Sequence, residues 1–324
     1  MKRFLQNLFV IVYLCLSIHQ VCADSGVFKP QRIVKIVVPF SSGGSADVAA
    51  RLLAEKLSNL WGQSVIIDNK PGGGTSVASA YVAQSAPDGH TLYLGYLLSY
   101  ATSAALYRNL PYNPMTALKG VSLIVDAPFI LSVSPHTQVN DLSEFIKFAK
   151  NNKALSYSST GNGAGPHLAT EVFLRRAGIK ATQIPYKGSS EAITSLMSQL
   201  VEFSFFDATA LGVLKSGKVT PIAVTSLKRW QQLPLVPTIA ESGYPGFNIT
   251  SSGGILVPSK TPIEIIQNLN RDIVNVMSKN DIQQKFMEQG FVTLTSSPEE
   301  FDQTLKAQLE NFKTLINDLG LRTD

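Results

Sequence analysis

Cysteine is almost absent from these 324 residues: Cys15 and Cys22 are the only two, and both lie near the start. The chain after Cys22 therefore has no disulfide, no thiol nucleophile and no cysteine metal site. Histidine is scarce too. Beyond His19 there are only His90, His136 and His167, too scattered for a zinc motif. Neither a Gly-x-Ser-x-Gly elbow nor a phosphate-binding Walker loop occurs. Gly161-Asn162-Gly163-Ala164-Gly165 misses the dinucleotide spacing because Pro166 stands where the last glycine belongs. Basic residues are dispersed, without the clusters or aromatic interleaving that track nucleic acid. No repeat and no low-complexity tract appears. These absences leave no cofactor or metal to expect, and they argue against an enzyme.

No apolar run approaches the roughly 20 residues that a membrane-spanning helix needs. The longest, Leu8 to Ile18, follows Lys2 and Arg3 and precedes Val21-Cys22-Ala23. A basic start, a short apolar core and small residues before a scission point read as a signal peptide cleaved after Ala23. Cys22 lacks the small preceding residue of a lipidated cysteine, since Val21 stands there. Removing Lys2 and Arg3 lowers the formal charge of +5 by two, to +3, a sign that suits an anionic ligand only weakly.

Beyond residue 23 enough chain remains for two domains of about 150 residues. Short β-branched runs alternate with helical patterns, the mark of α/β architecture with mainly parallel sheets. Strands are expected at Arg32–Phe40, Ser64–Asp68 and Thr91–Gly95, with helices over Ala46–Trp61 and from Ser76 between them. Further strands are expected at Val121–Val125, Phe129–Val133, Leu155–Ser159, Thr182–Tyr186, Val201–Phe206 and Pro221–Thr225. Helices are expected over His167–Ala177 and from Ser189 or Ser190 through Leu200. Gly254–Val257 reads as a return crossing. In the tail, Thr261-Pro262-Ile263-Glu264 and Ser297-Pro298-Glu299-Glu300 both carry the order of a capping box. The simplest assembly is two α/β lobes joined by two crossings: 24–125 with 250–324 in the first, 126–249 in the second.

Two loops share one design. Val38-Pro39-Phe40 enters Ser41-Ser42-Gly43-Gly44-Ser45, and Ser158-Ser159 enters Thr160-Gly161-Asn162-Gly163. In each, a strand meets a Ser/Gly turn and a helix start, where unpaired N–H groups favour anions. One such loop is an ordinary turn, whereas one per lobe fits a cleft that grips an anion from both sides. Asp47 reads equally as a helix-dipole carboxylate, a loop organiser or an acceptor for a ligand amine. His167 is a structural hydrogen-bonder or a ligand group. Lys187, after Tyr186, is a solvated charge or a cleft cation, and Asp207 caps a turn or faces a crevice at the strand end.

These segments resemble the Bug/TctC family, the extracytoplasmic receptors of tripartite tricarboxylate transport systems. The resemblance spans nearly all of the mature chain. It rests on Val37-Val38-Pro39-Phe40 with Gly43-Gly44, Asp47 and Ala50-Arg51; on Gly62-Gln63, Asn69-Lys70-Pro71-Gly72 and Ala86-Pro87-Asp88-Gly89; on Ser159 to Gly163 with His167-Leu168; on Pro185-Tyr186-Lys187-Gly188 and Phe206-Asp207; and on Pro237-Thr238 with Glu241, Gly243 and Pro245-Gly246-Phe247. It implies a two-lobed, type II-like periplasmic binding fold with a hinge, a ligand carboxylate held by the two loops through backbone amides and water, and delivery to membrane permease subunits by a monomer. Residues implied at the ligand are Phe40, Ser41, Ser42, Gly43, Gly44, Ser45, Asp47, Tyr96, Ser99, Ser159, Thr160, Gly161, Asn162, Gly163, His167, Lys187 and Asp207. Two departures stand out. Tyr96-Leu97-Leu98-Ser99-Tyr100 replaces a small hydroxyl-rich loop, and the family tryptophan of the return strand is replaced near Ser252. Both favour a carboxylate with an apolar or aromatic body over citrate. A periplasmic ligand sensor signalling to a kinase would use the same cleft, and a serine hydrolase built on Ser159 and His167 is the remote alternative.

Overall fold

The computed structural model describes residues 29–107, 109–186 and 188–319. The expected signal peptide and Lys187 lie outside the described residues. The chain begins with β1 (Val34–Val38), α1 (Ser45–Trp61), β2 (Val65–Asn69), α2 (Ser76–Ala83), β3 (Thr91–Tyr96) and α3 (Leu97–Leu106). Then come β4 (Leu118–Asp126), β5 (Ile130–Val133), α4 (Leu142–Asn151), β6 (Ser156–Ser159), α5 (Gly165–Ala177), β7 (Thr182–Pro185) and α6 (Ser189–Met197). The remainder is β8 (Phe203–Phe206), α7 (Leu211–Lys215), β9 (Thr220–Val224), β10 (Gly253–Pro258), α8 (Ile263–Met277), α9 (Asn280–Glu288), β11 (Val292–Thr293) and α10 (Pro298–Leu319).

Two sheets result, ordered β11-β4-β10-β3-β1-β2 and β7-β6-β8-β5-β9. The β1 run Val-Lys-Ile-Val-Val is buried at four of five positions because strands and helices cover it on both sides. On α1, Ala46, Ala49, Ala50, Leu53, Leu57 and Trp61 form the buried stripe, and Trp61 Nε1 donates to Asp272 on α8 at 2.8 Å. The second sheet is seated on aromatic rings: Phe203 lies 5.0 Å from Phe145 and 5.4 Å from Tyr157, centroid to centroid. All three are completely buried. Helices α8 and α10 pack on β4, so the C-terminal segment covers the first sheet.

The mainly parallel expectation needs correction. Pairs β1–β2, β1–β3, β6–β7 and β6–β8 are parallel, but β10 runs antiparallel to β3 and β4, and β5 antiparallel to β8 and β9. The cause is topological: strands joined to a segment that crosses between sheets enter without a helical crossover. Those crossings are stitched together. Pro128 bridges Thr250, the Thr225 hydroxyl accepts from the Phe129 N–H at 2.8 Å, and the Ser252 hydroxyl donates to Asp126 at 2.8 Å.

Of the two expected capping boxes, one forms. The Ser297 N–H donates to Glu300 and the Glu300 N–H to the Ser297 hydroxyl, at 2.8 and 3.1 Å. At the other, helix α8 starts after Pro262, and the buried Thr261 hydroxyl has no partner. The Thr261 N–H instead closes a turn onto the Pro258 carbonyl, which carries the residue away from the capping geometry. Helix α6 stops at Met197 rather than Leu200 because Gln199 adopts the left-handed region at φ 62°. The stretch after Tyr96, expected as a loop, is helix α3. Its Leu97, Leu98, Tyr100 and Ala101 are buried on nearly every side, so no amphipathic stripe marks it.

Candidate functional site

A cavity of about 480 Å³ opens between the two sheets, within the usual size of small-ligand sites. Strand C-terminal ends and helix N-terminal ends converge on it. From the first sheet come Pro39, Phe40, Ser41, Gly44, Ser45 and Ala46 around the start of α1, with Pro71, Gly72, Gly74 and Thr75 before α2. Tyr96, Leu98, Ser99, Thr102, Ser103, Leu106 and Tyr107 form the α3 wall. The second sheet contributes Thr160 and Asn162–Pro166 before and within α5, Gly188 and Ser189 at the start of α6, and Asp207–Thr209 after β8. Ala127, Phe129, Ser251 and Phe291 close the floor near the crossings.

The two Ser/Gly loops are pinned by the same device. The Gly43 N–H donates to Asp47 Oδ2 at 3.0 Å, and the Gly163 N–H donates to His167 Nδ1 at 2.9 Å. In both, a glycine at positive φ (84° and 75°) bonds the side chain four residues on, in the first helical turn. Glycine takes this conformation without the steric penalty of a Cβ. Neither helix has a side-chain N-cap: Gly44 and Ala164 occupy those positions. The first-turn N–H groups of α1 therefore stay available to a ligand. Pro166 in the first turn of α5 removes one donor there, so the preceding loop has the larger share of that task.

Asp47 is only 2 % exposed, yet it is charged. The Arg51 guanidinium, bonding at 2.8 and 3.0 Å, holds its carboxyl below the usual carboxylate value against the opposing effect of burial. The Gly43 N–H and the Asn69 amide add to the depression. The Asn69 amide also donates to the Phe40 carbonyl at 3.0 Å, so both ends of the loop are tied to one carboxylate. His167 is neutral, because burial pushes its pKa down while Glu171, 4.0 Å away, opposes only part of that. With Nδ1 accepting from Gly163, the proton sits on Nε2 toward Glu171, which also accepts from the Tyr157 hydroxyl.

Of the residues singled out from sequence, the cavity gathers Phe40, Ser41, Gly44, Ser45, Tyr96, Ser99, Thr160, Asn162, Gly163 and Asp207. Ser42, Gly43 and Gly161 belong to the loops but not to the cavity wall. Asp47 and His167 lie behind the wall and hold the loops. Ser159 is fully buried, accepting from Gln183 at 2.7 Å and from the Gly161 N–H at 3.3 Å. Buried there and bonded to Gln183, its hydroxyl has no access to a substrate. Sequence reasoning missed most of the α3 wall, Phe129, Ser189 and Phe291. Only the Pro71–Gly74 turn had a readable signal, as a third strand–glycine–helix junction.

The sequence profile described as "Tripartite tricarboxylate transporter family receptor" matches residues 49–321. Among solved structures, the periplasmic binding protein BugD is 31% identical with a TM-score of 0.78, covering 91% of this chain and all of its own. The R. palustris protein Rpa4515 with adipate is 33% identical at TM-score 0.81, covering 90% of this chain and 98% of that one. MatC from Rhodopseudomonas palustris with bound malate is 28% identical at TM-score 0.77, covering 89% and 99%. A profile match over most of the chain and a fold shared over 91% of it agree with the two pinned loops facing one cavity: this chain belongs to the tripartite tricarboxylate transporter family of receptors.

Proposed function

We propose that this chain is a periplasmic solute receptor that closes its lobes on a small carboxylate with an apolar or aromatic body and delivers it to the membrane subunits of a tripartite tricarboxylate-type transporter. The observation that carries the reading is the pair of glycine-pinned loops, one per sheet, facing a cavity whose α3 wall presents Tyr96, Leu98, Leu106 and Tyr107. Helix starts supply polar recognition of the carboxylate, and the aromatic and aliphatic groups accept the rest of the molecule. The acids bound by the R. palustris relatives, adipate and malate, support the ligand class. We place the lobes at 24–125 with 250–324 and at 126–249, export through a signal cleaved after Ala23, and delivery as a monomer. Lobe closure favoured by the ligand would supply the signal to the transporter.

The test is a thermal-shift screen of the mature protein against aliphatic and aromatic carboxylates, each beside its uncharged amide. A ligand at about 100 times its dissociation constant adds about 2.7 kcal/mol of stability, and shifts are expected with acids only. Equal shifts with amides, or shifts confined to citrate-like acids, would refute respectively the anion cleft and the apolar body.

A further inference from the structure

The two loop pins differ in one respect. Asp47 accepts from the Gly43 N–H as a carboxylate, whereas His167 accepts from the Gly163 N–H through an imidazole nitrogen, Nδ1, at 2.9 Å. A carboxyl group keeps an acceptor oxygen in either protonation state, but an imidazole nitrogen accepts only while it carries no proton. With a proton on Nδ1, two N–H groups would confront each other at hydrogen-bonding distance. His167 is only 3 % exposed, so the conflict is relieved by moving the imidazole or the loop. The loop is the softer partner. Gly161 and Gly163 both adopt positive φ, and its closing bond, from the Ala164 N–H to the Gly161 carbonyl, is long at 3.3 Å.

Behind the imidazole, Glu171 Oε1 lies one turn along α5, 4.0 Å from Nε2, and accepts from the Tyr157 hydroxyl of β6. Negative charge on that side favours the tautomer with its proton on Nε2 and so keeps Nδ1 free to accept. Among the described residues, Glu171 is the one charge that acts on the imidazole. Neighbouring elements present Phe203 to Phe206 from β8, Leu98, Thr102 and Leu106 from α3 against Gly163 and Gly165, and Tyr244 farther along α5 at Phe173. Asp207, just beyond β8, lines the cavity, whose wall His167 does not join. We infer that Tyr157, Glu171 and His167 form a positioning relay that makes the second lobe's hold on the ligand carboxylate conditional on a neutral imidazole, so that acid loosens the ligand through this one loop. The relay rests on the receptor reading and adds to it a condition for release. Burial holds the His167 pKa below its ordinary value of about 6.5. Affinity is therefore complete above that pH and falls, by up to about tenfold per pH unit, as pH drops through the lower folded value. The first-lobe loop, pinned by Asp47, keeps its acceptor over the same range.

Calorimetry on the mature protein with adipate and 3-phenylpropionate, from about pH 8 to about pH 4.5, tests it. Wild type is compared with His167→Asn and Glu171→Gln, each verified as folded by circular dichroism at both ends of the range. Asparagine offers an acceptor oxygen close to the place of Nδ1 and does not titrate. The ratio of wild-type to His167→Asn affinity cancels the titration of the ligand and of the other carboxylates. It should be constant above about pH 6.5 and fall by up to about tenfold per pH unit below the folded pKa. In Glu171→Gln the fall should begin at lower pH, because the charge that favours the imidazolium is gone, whereas loss of a merely structural contact would weaken binding alike at every pH. In wild type, the Gly163 amide resonance should move with the same midpoint as the affinity. A ratio constant within about twofold, or one that rises in acid because the imidazolium attracts the ligand, would overturn the relay and leave the receptor intact. So would an unshifted fall in Glu171→Gln, or a Gly163 resonance that does not follow affinity. If neither acid binds at about pH 8, or the matched amides bind as well, the receptor reading falls and the relay with it.

Discussion

Replacing Gly163 by alanine separates the energetics of closure from those of folding. Gly163 belongs to the second-lobe loop, and a Cβ there would lie 2.5 Å from Leu106 Cδ1 and 3.2 Å from Thr102 Cγ2, both on α3 of the first lobe. Two costs arise. The residue has φ 75°, where an L-side chain is disfavoured by roughly 1 kcal/mol in open and closed forms alike. The collision exists only when the lobes meet. Overpacking costs about 1–3 kcal/mol, and the low end applies because Leu106 Cδ1 is the tip of a side chain that can rotate. Taking about 1–1.5 kcal/mol for closure, affinity should fall about 5- to 12-fold at 1.4 kcal/mol per decade. The ligand-free protein should lose only about 2–4 °C in melting temperature. Calorimetry with the best carboxylate from the screen gives the first number and differential scanning calorimetry the second. In a double-mutant cycle, Leu106→Ala should restore most of the closure term and none of the backbone term. Unchanged affinity beside a drop in stability, or an affinity loss that persists in the Leu106→Ala background, would refute a closure cost at Gly163.

Three further residues give expected outcomes from the structure. Asp47→Ala leaves the Gly43 N–H and the Asn69 amide without their acceptor, a loss of about 2–4 kcal/mol with little from half-exposed Arg51; melting should fall by roughly 5–15 °C and carboxylate affinity with it, and a shift under about 2 °C would contradict the pinning role. Asp47 itself, held below its ordinary value, contributes stability that is present above about pH 4 and lost as pH falls through its lower folded pKa, so it adds no pH dependence between 5 and 8. His167 behaves differently: its folded pKa lies below the ordinary value of about 6.5, so its stabilising effect is complete above that pH and declines as pH drops toward the folded pKa. Urea unfolding of wild type and His167→Gln from pH 8 to 5 should show their stability difference shrinking below about 6.5, and a constant gap would refute the assignment. Phe203→Ala, which removes a ring packed on Phe145 and Tyr157, should cost about 3–5 kcal/mol in urea unfolding without changing ligand selectivity.

How much of this was legible beforehand varied with the physical range of the signal. Local chemistry was read well. The β1 run, the two Ser/Gly junctions, the Ser297 capping box and Gly178 ending α5 all depend on a few neighbouring residues, and all formed at or near the expected positions. Helix α3 escaped because a helix buried on nearly all sides has no apolar stripe to betray it. Antiparallel β10 escaped because strand direction depends on where a crossing segment enters the sheet, which composition does not encode. At the site, the sequence named the loops but left Asp47 and His167 each with more than one role. Only the distances to the Gly43 and Gly163 N–H groups set these two behind the wall as anchors.

By itself, then, the amino-acid sequence determined the α/β alternation, the glycine–serine helix starts and the restriction of cysteine to positions 15 and 22. Those properties follow from the periodicity, backbone freedom and side-chain inventory of short segments. Tertiary structure decided which helix starts share one cavity, that Tyr96 and Asp207 line that same cavity, and that Gly163 lies against α3. Tyr96 and Asp207 are more than a hundred residues apart, and what each can do depends on burial and on partners that only the folded chain supplies.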